Sequence, residues 1–327
     1  MFSDLIWEAS FIRFANTTTQ NPEPDFDLLK RNGLIRTDVL TQKPIHILFA
    51  CDDNFWAPAY AAMRGICLAT KRRVDLVFHL CELGLTNEHR ADLRKIETEF
   101  GANLIFYNLA TNDAFQNFCA KLPSDKRLNQ VMYARLLVDV LVPPEVERIV
   151  YFDCDTLVCA PIEELADMDL EGFPIAAVQD YMAVFIKGGR DIKNNRDLFD
   201  PADPYFNSGL LVIDIKKWRK NDVLGHLVAK TADGTMDRIY YDQDFLNLVF
   251  KNNWFKLDQL WNIIDPRPPH QALCPKMLHF TGKRRPWNLV SGVAFARVYR
   301  HVMTNELYYR YMRHRIKQRF KRLLKRT

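Results

Sequence analysis

The feature that most constrains this chain is its alternation of short β-rich runs with helix-length amphipathic segments. IHILFA starts at Ile45, and after CDDN the apolar residues Trp56, Tyr60, Met63, Ile66 and Cys67 recur at helical spacing. VDLVFHL (74–80) predicts a second strand, Thr86 with Glu88 opens a second helix, and NLIFYNL (103–109) predicts a third strand. Ser124 and Asp125 can cap a further helix through Val142, with Val131, Leu136, Val138 and Leu141 facing inward, before ERIVYFD returns to strand. SGLLVIDI adds another strand, and Asp242 to Phe250 begins another helix. This order predicts an α/β fold, a Rossmann-like, mostly parallel central sheet flanked by helices.

Open sheets of this kind bind ligands beyond the carboxyl ends of their strands. Two polar clusters fall there, Asp52-Asp53-Asn54 and Asp153-Cys154-Asp155. Neither G-x-G-x-x-G after the first strand nor G-x-x-x-x-G-K-[ST] occurs, which argues against dinucleotide and P-loop chemistry. In IVYFDCDTLV two carboxylates end a strand one residue apart. Like charges that close are tolerated best with a cation between them. On a strand, residues two apart share a face at roughly 6.6 Å, so Asp153 and Asp155 are expected to converge while Cys154 points the other way. A hard divalent cation, Mg²⁺ or Mn²⁺, takes such oxygen ligands and keeps positions for phosphates. Two alternatives stand beside this: a solvated acidic loop, and the nucleophile strand of haloacid-dehalogenase-like phosphatases, whose later G-D-x-x-x-D pattern is missing.

Composition sets the outer limits. The 327 residues are 48% hydrophobic and 26% charged, enough for one large core, and no apolar run nears the roughly 18 residues of a membrane span. Asp4 and Glu8 stand where a secretory signal would carry Lys or Arg, so a cytoplasmic start is expected. Seven scattered cysteines without C-x-x-C read as reduced thiols rather than a disulfide or zinc framework. The net charge of +5 is local: residues 306–327 hold nine Lys or Arg against one acid, which leaves the remainder slightly acidic. Within that segment Tyr309, Met312, Ile316, Phe320 and Leu323 fall three and four apart. A cationic helix with one apolar stripe suits an anionic membrane surface, docking on the protein's own body being the alternative; nucleic acid is not expected as a partner.

Six ordered motifs between Pro44 and Asn288 resemble glycosyltransferase family 8, the retaining nucleotide-sugar transferases of GT-A fold that include bacterial lipopolysaccharide hexosyltransferases and glycogenin. FACDDN resembles the family's nucleotide motif, which implies uracil and ribose contacts from Asp52 and Asn54 and base stacking from Phe55. YARLLV implies a donor contact from Arg135. FDCDTLV supplies metal ligands Asp153 and Asp155, with Cys154 among the donor-binding positions. YFNSGLLVIDIKKW implies sugar contacts from Asn207 and Ser208, and YYDQDFLN puts Asp242 and Gln243 on the sugar face. HFTGKRRPW resembles HxxGxxKPW, with His279 as third metal ligand and Gly282, Lys283 and Arg285 on the diphosphate; Arg285 occupies the family's Lys position.

The resemblance implies a Mn²⁺-dependent hexosyltransferase, with Mg²⁺ as the alternative ion. Its donor would be a UDP-hexose and its acceptor a glycan or glycolipid, and Arg135, Asp242 and Gln243 would form the reactive centre. A self-glycosylating or non-catalytic sugar-nucleotide binder is the second reading. The expected organisation is an extension over 1–43, the transferase domain over 44–290 and a basic helical region over 291–327, lying peripherally on the inner face of the cytoplasmic membrane.

Overall fold

A computed structural model describes residues 43–120, 130–181, 197–200, 202–239, 241–282, 284–288 and 291–324, with side chains to 321. The extension over 1–42, Ser124, Asp125 and Lys283 lie outside the described residues.

Seven strands form the main sheet: β1 (Ile45–Asp52), β2 (Leu76–Leu83), β3 (Asn103–Asn108), β4 (Arg148–Phe152), β6 (Ile175–Gln179), β7 (Phe206–Asp214) and β8 (Phe255–Lys256), in the order β3-β2-β1-β4-β7-β6-β8. All run parallel except β7, which pairs antiparallel with both β4 and β6. β5 (Thr156–Val158), β9 (Ile263–Ile264) and β10 (Met277–His279) make a second sheet, with β10 central. The fold is thus α/β with a mostly parallel sheet, as expected.

β1 shows why the sequence reads as a near-continuous apolar run: a parallel strand covered on both faces has no solvent side to alternate with. Phe49 is fully buried and stacks on Phe152 of β4 at 5.9 Å. Each such aromatic contributes about 1.5–3 kcal/mol by leaving water. Helix α1 (Trp56–Ala69) follows β1, and α2 (Asn87–Leu93) follows β2, its first turn capped by Thr86 Oγ1, which accepts from the His89 amide at 3.2 Å. Helix α3 (Tyr241–Val249) packs on β7, and α4 (Ala296–Met303) and α5 (Asn305–Leu324) pack against α1.

Local readings shift in four places. The second strand begins at Leu76 rather than Val74, because Arg73–Asp75 form a short 3-10 turn that leaves Val74 exposed. The helix expected through Val142 is a 3-10 segment, Gln130–Leu137, followed by one α-turn, Val138–Leu141; its four inward residues are all buried. Asp153 and Asp155 do not lie on a strand. β4 ends at Phe152, and Thr156 Oγ1 donates to the Asp153 carbonyl at 2.8 Å, closing a turn between two sheets. The C-terminal helix splits its apolar residues: Leu307, Tyr308, Tyr311 and Met312 are buried against the body, whereas Tyr309, Ile316 and Phe320 are exposed. Self-docking therefore accounts for half of that helix, Met312 included. All seven cysteines are free.

Candidate active site

The antiparallel course of β7 assembles the site. Running against β4, it places its first residues beside β4's last: Leu210 pairs with Phe152, and the Asp153 amide donates to the Gly209 carbonyl at 2.9 Å. Asn207-Ser208-Gly209 thereby lies next to Asp153-Cys154-Asp155. The second sheet brings the third component. His279 on β10 pairs with Thr156 of β5, and the Phe280 amide donates to the Asp155 carbonyl at 2.9 Å.

His279 Nε2 sits 3.2 Å from Asp155 Oδ1 and 3.7 Å from Asp153 Oδ2, and the three residues form a group whose ligand atoms lie within 4.8 Å of one another. On the far side of the imidazole, Nδ1 is 3.0 Å from Asn262 Oδ1. Asn207 Oδ1 accepts from the Gly209 amide at 2.9 Å and from Asn262 Nδ2 at 2.9 Å. A backbone N–H can only donate, so the chain has one polarity: Asn262 must present oxygen to His279 and Nδ1 carries a proton, which leaves Nε2 facing the carboxylates, a donor to Asp155 when the ring is charged and a lone pair for a cation when it is neutral. Gly209 supplies the room. A Cβ there would lie 2.3 Å from His279 Cε1 and 2.9 Å from Asp153 Oδ2.

Charge around the carboxylates is balanced from two directions. Arg135, 4% exposed, places Nη2 at 2.7 Å from Asp153 Oδ1 and Nε at 2.9 Å from Asp242 Oδ2, and its Nη1 donates to the Ser208 carbonyl at 2.7 Å. The guanidinium also lies over the Tyr151 ring, whose hydroxyl donates to Asp153 Oδ1 at 2.7 Å. Arg285 pairs with Asp155 Oδ2, donates to the Phe280 carbonyl and lies over Trp287. Burial would push the Asp155 carboxyl up, but His279 and Arg285 outweigh it and hold its pKa at about 2. Burial likewise opposes protonation of His279, and Asp155 and Asp153 reverse the sign, so its pKa is raised. For Asp242 burial wins over Arg135 and the pKa is raised.

Gln243 is held by four neighbours. Its Oε1 accepts from Asn207 Nδ2 and the Ser208 amide, both at 3.1 Å, and its Nε2 donates to Asp180 Oδ2 and the Tyr205 hydroxyl, both at 3.3 Å. Further along α3, Asn247 clamps Phe206 in both directions, accepting from its amide at 2.8 Å and donating to its carbonyl at 2.9 Å. The DQDxLN pattern thus joins a helix to the start of β7. At the β1 edge, Asp52 accepts from the Asn54 amide and side chain at 3.0 and 2.8 Å, Phe55 sits edge-on to Trp287, and Tyr311 of α5 donates to the Asn54 carbonyl at 2.7 Å. Cys154 turns to β1, its Sγ 3.2 Å from the Ala50 carbonyl, so its side chain serves the sheet. The Gly282 amide donates to Asp265 Oδ1 at 2.8 Å.

A sequence profile of glycosyl transferase family 8 matches residues 46–290. The chain belongs to that family. General stress protein A of Bacillus subtilis is 23% identical over 278 residues, covering 80% of this chain and 93% of that protein. Glycosyltransferase GlyA of Streptococcus pneumoniae is 24% identical over 284 residues, but these span 84% of this chain and only 37% of that one. Among solved structures, the galactosyltransferase LgtC, in complex with donor and acceptor sugar analogs, superposes with TM-score 0.65 at 23% identity, over 79% of this chain and 95% of that one. The fold is GT-A and the protein is a glycosyltransferase.

Asn262, Asp180, Tyr151, Asn247 and Gly209 also shape the site, and none of them is among the site residues expected from the sequence. Tyr151 carried a signal, since it lies two positions before Asp153 at the end of one strand. Asp180 carried a signal too, as an acid directly after the largely apolar run Ile175–Gln179, whereas Asn262 carried none, because it acts only through partners distant in sequence.

Proposed function

We propose that this glycosyltransferase moves a hexose from a UDP-sugar, with retention at the anomeric carbon, to lipopolysaccharide or another lipid-linked surface glycan. The observation that carries the reading is the convergence of Asp153, Asp155 and His279 Nε2, with the imidazole tautomer fixed by Asn262. Two carboxylates and one imidazole suit Mn²⁺ better than the all-oxygen preference of Mg²⁺. Gly209, where any side chain would press on His279 and Asp153, is consistent with a cradle kept open for an ion.

Asp153, Asp155 and His279 would hold the ion, which when bound would supply a Lewis acid for the negative charge on the departing diphosphate. The chain's own residues do the rest. Arg135 and Tyr151 both bind Asp153 Oδ1, which leaves Oδ2 turned to His279. Arg285 adds fixed positive charge where the family has Lys, and with Lys283 it is assigned to the diphosphate; a planar guanidinium binds phosphate oxygens as a fork. Gln243, an amide, is a poor nucleophile, so retention is assigned to same-face displacement through an oxocarbenium-like ion pair, not to the carboxylate nucleophile of retaining glycosidases. Asp242, beside the Arg135 guanidinium, is assigned to steer sugar hydroxyls with Asn207 and Ser208. Asp52, Asn54 and Phe55 are assigned to the uridine.

The exposed stripe Tyr309, Ile316 and Phe320 on α5, flanked by Arg313, Lys317 and Lys321, supports a peripheral hold on an anionic leaflet where lipid-linked acceptors reside. No described helix is long and apolar enough to cross a membrane. Incubation with Mn²⁺ and a panel of UDP-sugars, reading UDP release and the mass of the chain itself, tests the reading. Metal-dependent release of UDP with one sugar is expected. Full turnover in EDTA, or release from no UDP-sugar, would overturn it.

A further inference from the structure

We propose that Asp53, His89 and His314 form a second metal site, of zinc-type chemistry, that staples the C-terminal helix α5 to the turn after β1. The three come from separate segments: the turn between β1 and α1, helix α2, and the middle of α5. Their ligand atoms lie within 4.8 Å of one another. Ligands at about 2.1 Å from one zinc stand at most about 4.2 Å apart, so small side-chain rotations close the set.

The surroundings are those of a held ligand group. The Asp53 carboxylate accepts from the Thr86 amide at 3.0 Å, which fixes its orientation. His89 is 7% exposed and lies flat on Trp56, ring centroids 4.2 Å apart at 12°, so one face is closed to water. Its Nδ1 is 2.6 Å from Asp53 Oδ1. That hydrogen bond satisfies one pair, but His314, edge-on to His89 at 5.0 Å, has a buried Nε2 without a hydrogen-bond partner. An orphaned buried imidazole nitrogen beside a carboxylate and a second imidazole can take a cation, and Arg310, which lies over the Trp56 ring, is engaged elsewhere, bound to Glu88 at 2.6 Å and to Asp92. An ion replaces the proton shared by Asp53 and His89 and takes the free lone pair of His314.

The donor set decides the class of ion. Two imidazoles and one carboxylate select Zn²⁺ or Co²⁺ over Mg²⁺ and Mn²⁺, in contrast to the carboxylate-rich cluster at Asp153. The consequence is mechanical. Tyr311, three residues before His314, donates to the Asn54 carbonyl, so a metal here ties α5 to the turn that carries Asp52 and Asn54.

The experiment uses the full chain without a polyhistidine tag, stripped with EDTA and titrated with Co²⁺ and Zn²⁺. Visible Co²⁺ bands and two metal equivalents are expected in the wild type. Asp153→Asn with Asp155→Asn should keep one equivalent, and His89→Ala or His314→Gln should weaken the second at least ten-fold. Zn²⁺ should also slow amide exchange over residues 305–320 in the wild type but not in His314→Gln, a readout independent of glycosyl transfer. A single equivalent that survives His314→Gln unchanged, or Zn²⁺ without effect on exchange in α5, would overturn the proposal.

Discussion

Asn262 Oδ1 accepts a hydrogen bond from His279 Nδ1 at 3.0 Å, and the direction of that bond is set by the Gly209 amide two links away. Residues behind a metal-binding histidine orient it and raise its basicity, and their loss typically weakens metal binding 10–100-fold. Asn262→Ala should therefore raise the Mn²⁺ concentration needed for half-maximal UDP release by that factor, with a smaller change at saturating metal. A metal titration of initial rate decides it; an unaltered half-saturation point would remove Asn262 from the site.

Gly209→Ala tests the space rather than the hydrogen bonds. The added methyl would stand 2.3 Å from His279 Cε1, so either the imidazole or β7 must yield. Overpacking of this kind costs about 1–3 kcal/mol. A lower denaturant midpoint together with weakened Mn²⁺ binding is expected, and a variant that binds metal like the wild type would show the cradle to be looser than drawn.

At Gln243 the prediction turns on Asp180. Gln243 Nε2 donates to Asp180 Oδ2 at 3.3 Å, so Gln243→Glu replaces a donor with an oxygen facing a carboxylate. Two facing acids raise the pKa of one of them. Turnover should fall on the order of 100-fold at pH 7.5 and recover in part as the pH drops and the shared proton is restored, whereas Gln243→Ala should show no recovery. The pH profiles of kcat for the two variants separate these outcomes.

What the sequence made legible follows from which elements are local. β1, β2, β3, β4 and α1 announce themselves through short apolar runs and helical spacing, and so do the polar clusters at Asp52 and Asp153. The segment Asp153-Cys154-Asp155 was legible as an acidic cluster at a strand end but not as a turn, because strand-like composition continues into Thr156-Leu157-Val158, which belongs to a different sheet. The antiparallel sense of β7 left no trace in its own residues, since a strand buried on both faces reads the same in either direction; yet that sense brings Ser208 and Gly209 to Asp153. The same holds for Asn262, whose role exists only because β9 pairs with β10.

Away from the site, a histidine ladder crosses three strands. His79, fully buried on β2, lies 2.9 Å from His46 Nδ1 and 2.8 Å from the Tyr107 hydroxyl. Burial, and secondarily the nearby His46, lower its pKa from 6.5 to about 4. The unfolded chain takes up a proton near pH 6.5 and the native one does not until about pH 4, so His79 leaves stability intact above 6.5 and erodes it as the pH falls between those values. At 1.36 kcal/mol for each unit, the loss approaches about 3 kcal/mol. Denaturant unfolding at several pH values should show a flatter acid slope in His79→Gln than in the wild type; identical slopes would contradict the assignment.

The two faces of α5, one buried against the body and one exposed, dictate which variant can probe its contact with lipid. Truncation at 306 would strip Leu307, Tyr308 and Tyr311 from α1 and expose the core, so a loss of membrane binding after truncation would not distinguish unfolding from lost contact. Ile316→Ser with Phe320→Ser alters only the exposed stripe, whose residues are 48% and 62% accessible. Inserting two such side chains into the acyl boundary contributes roughly 1.5–3 kcal/mol each at full burial, and each basic neighbour adds about 1 kcal/mol near an anionic leaflet. Flotation with phosphatidylglycerol-containing liposomes should therefore show at least ten-fold weaker association for the double variant, with turnover on a soluble acceptor unchanged. High salt should weaken the wild type further, because the basic residues act through a screened field. Equal flotation of both proteins at both salt concentrations would show that the stripe does not touch lipid.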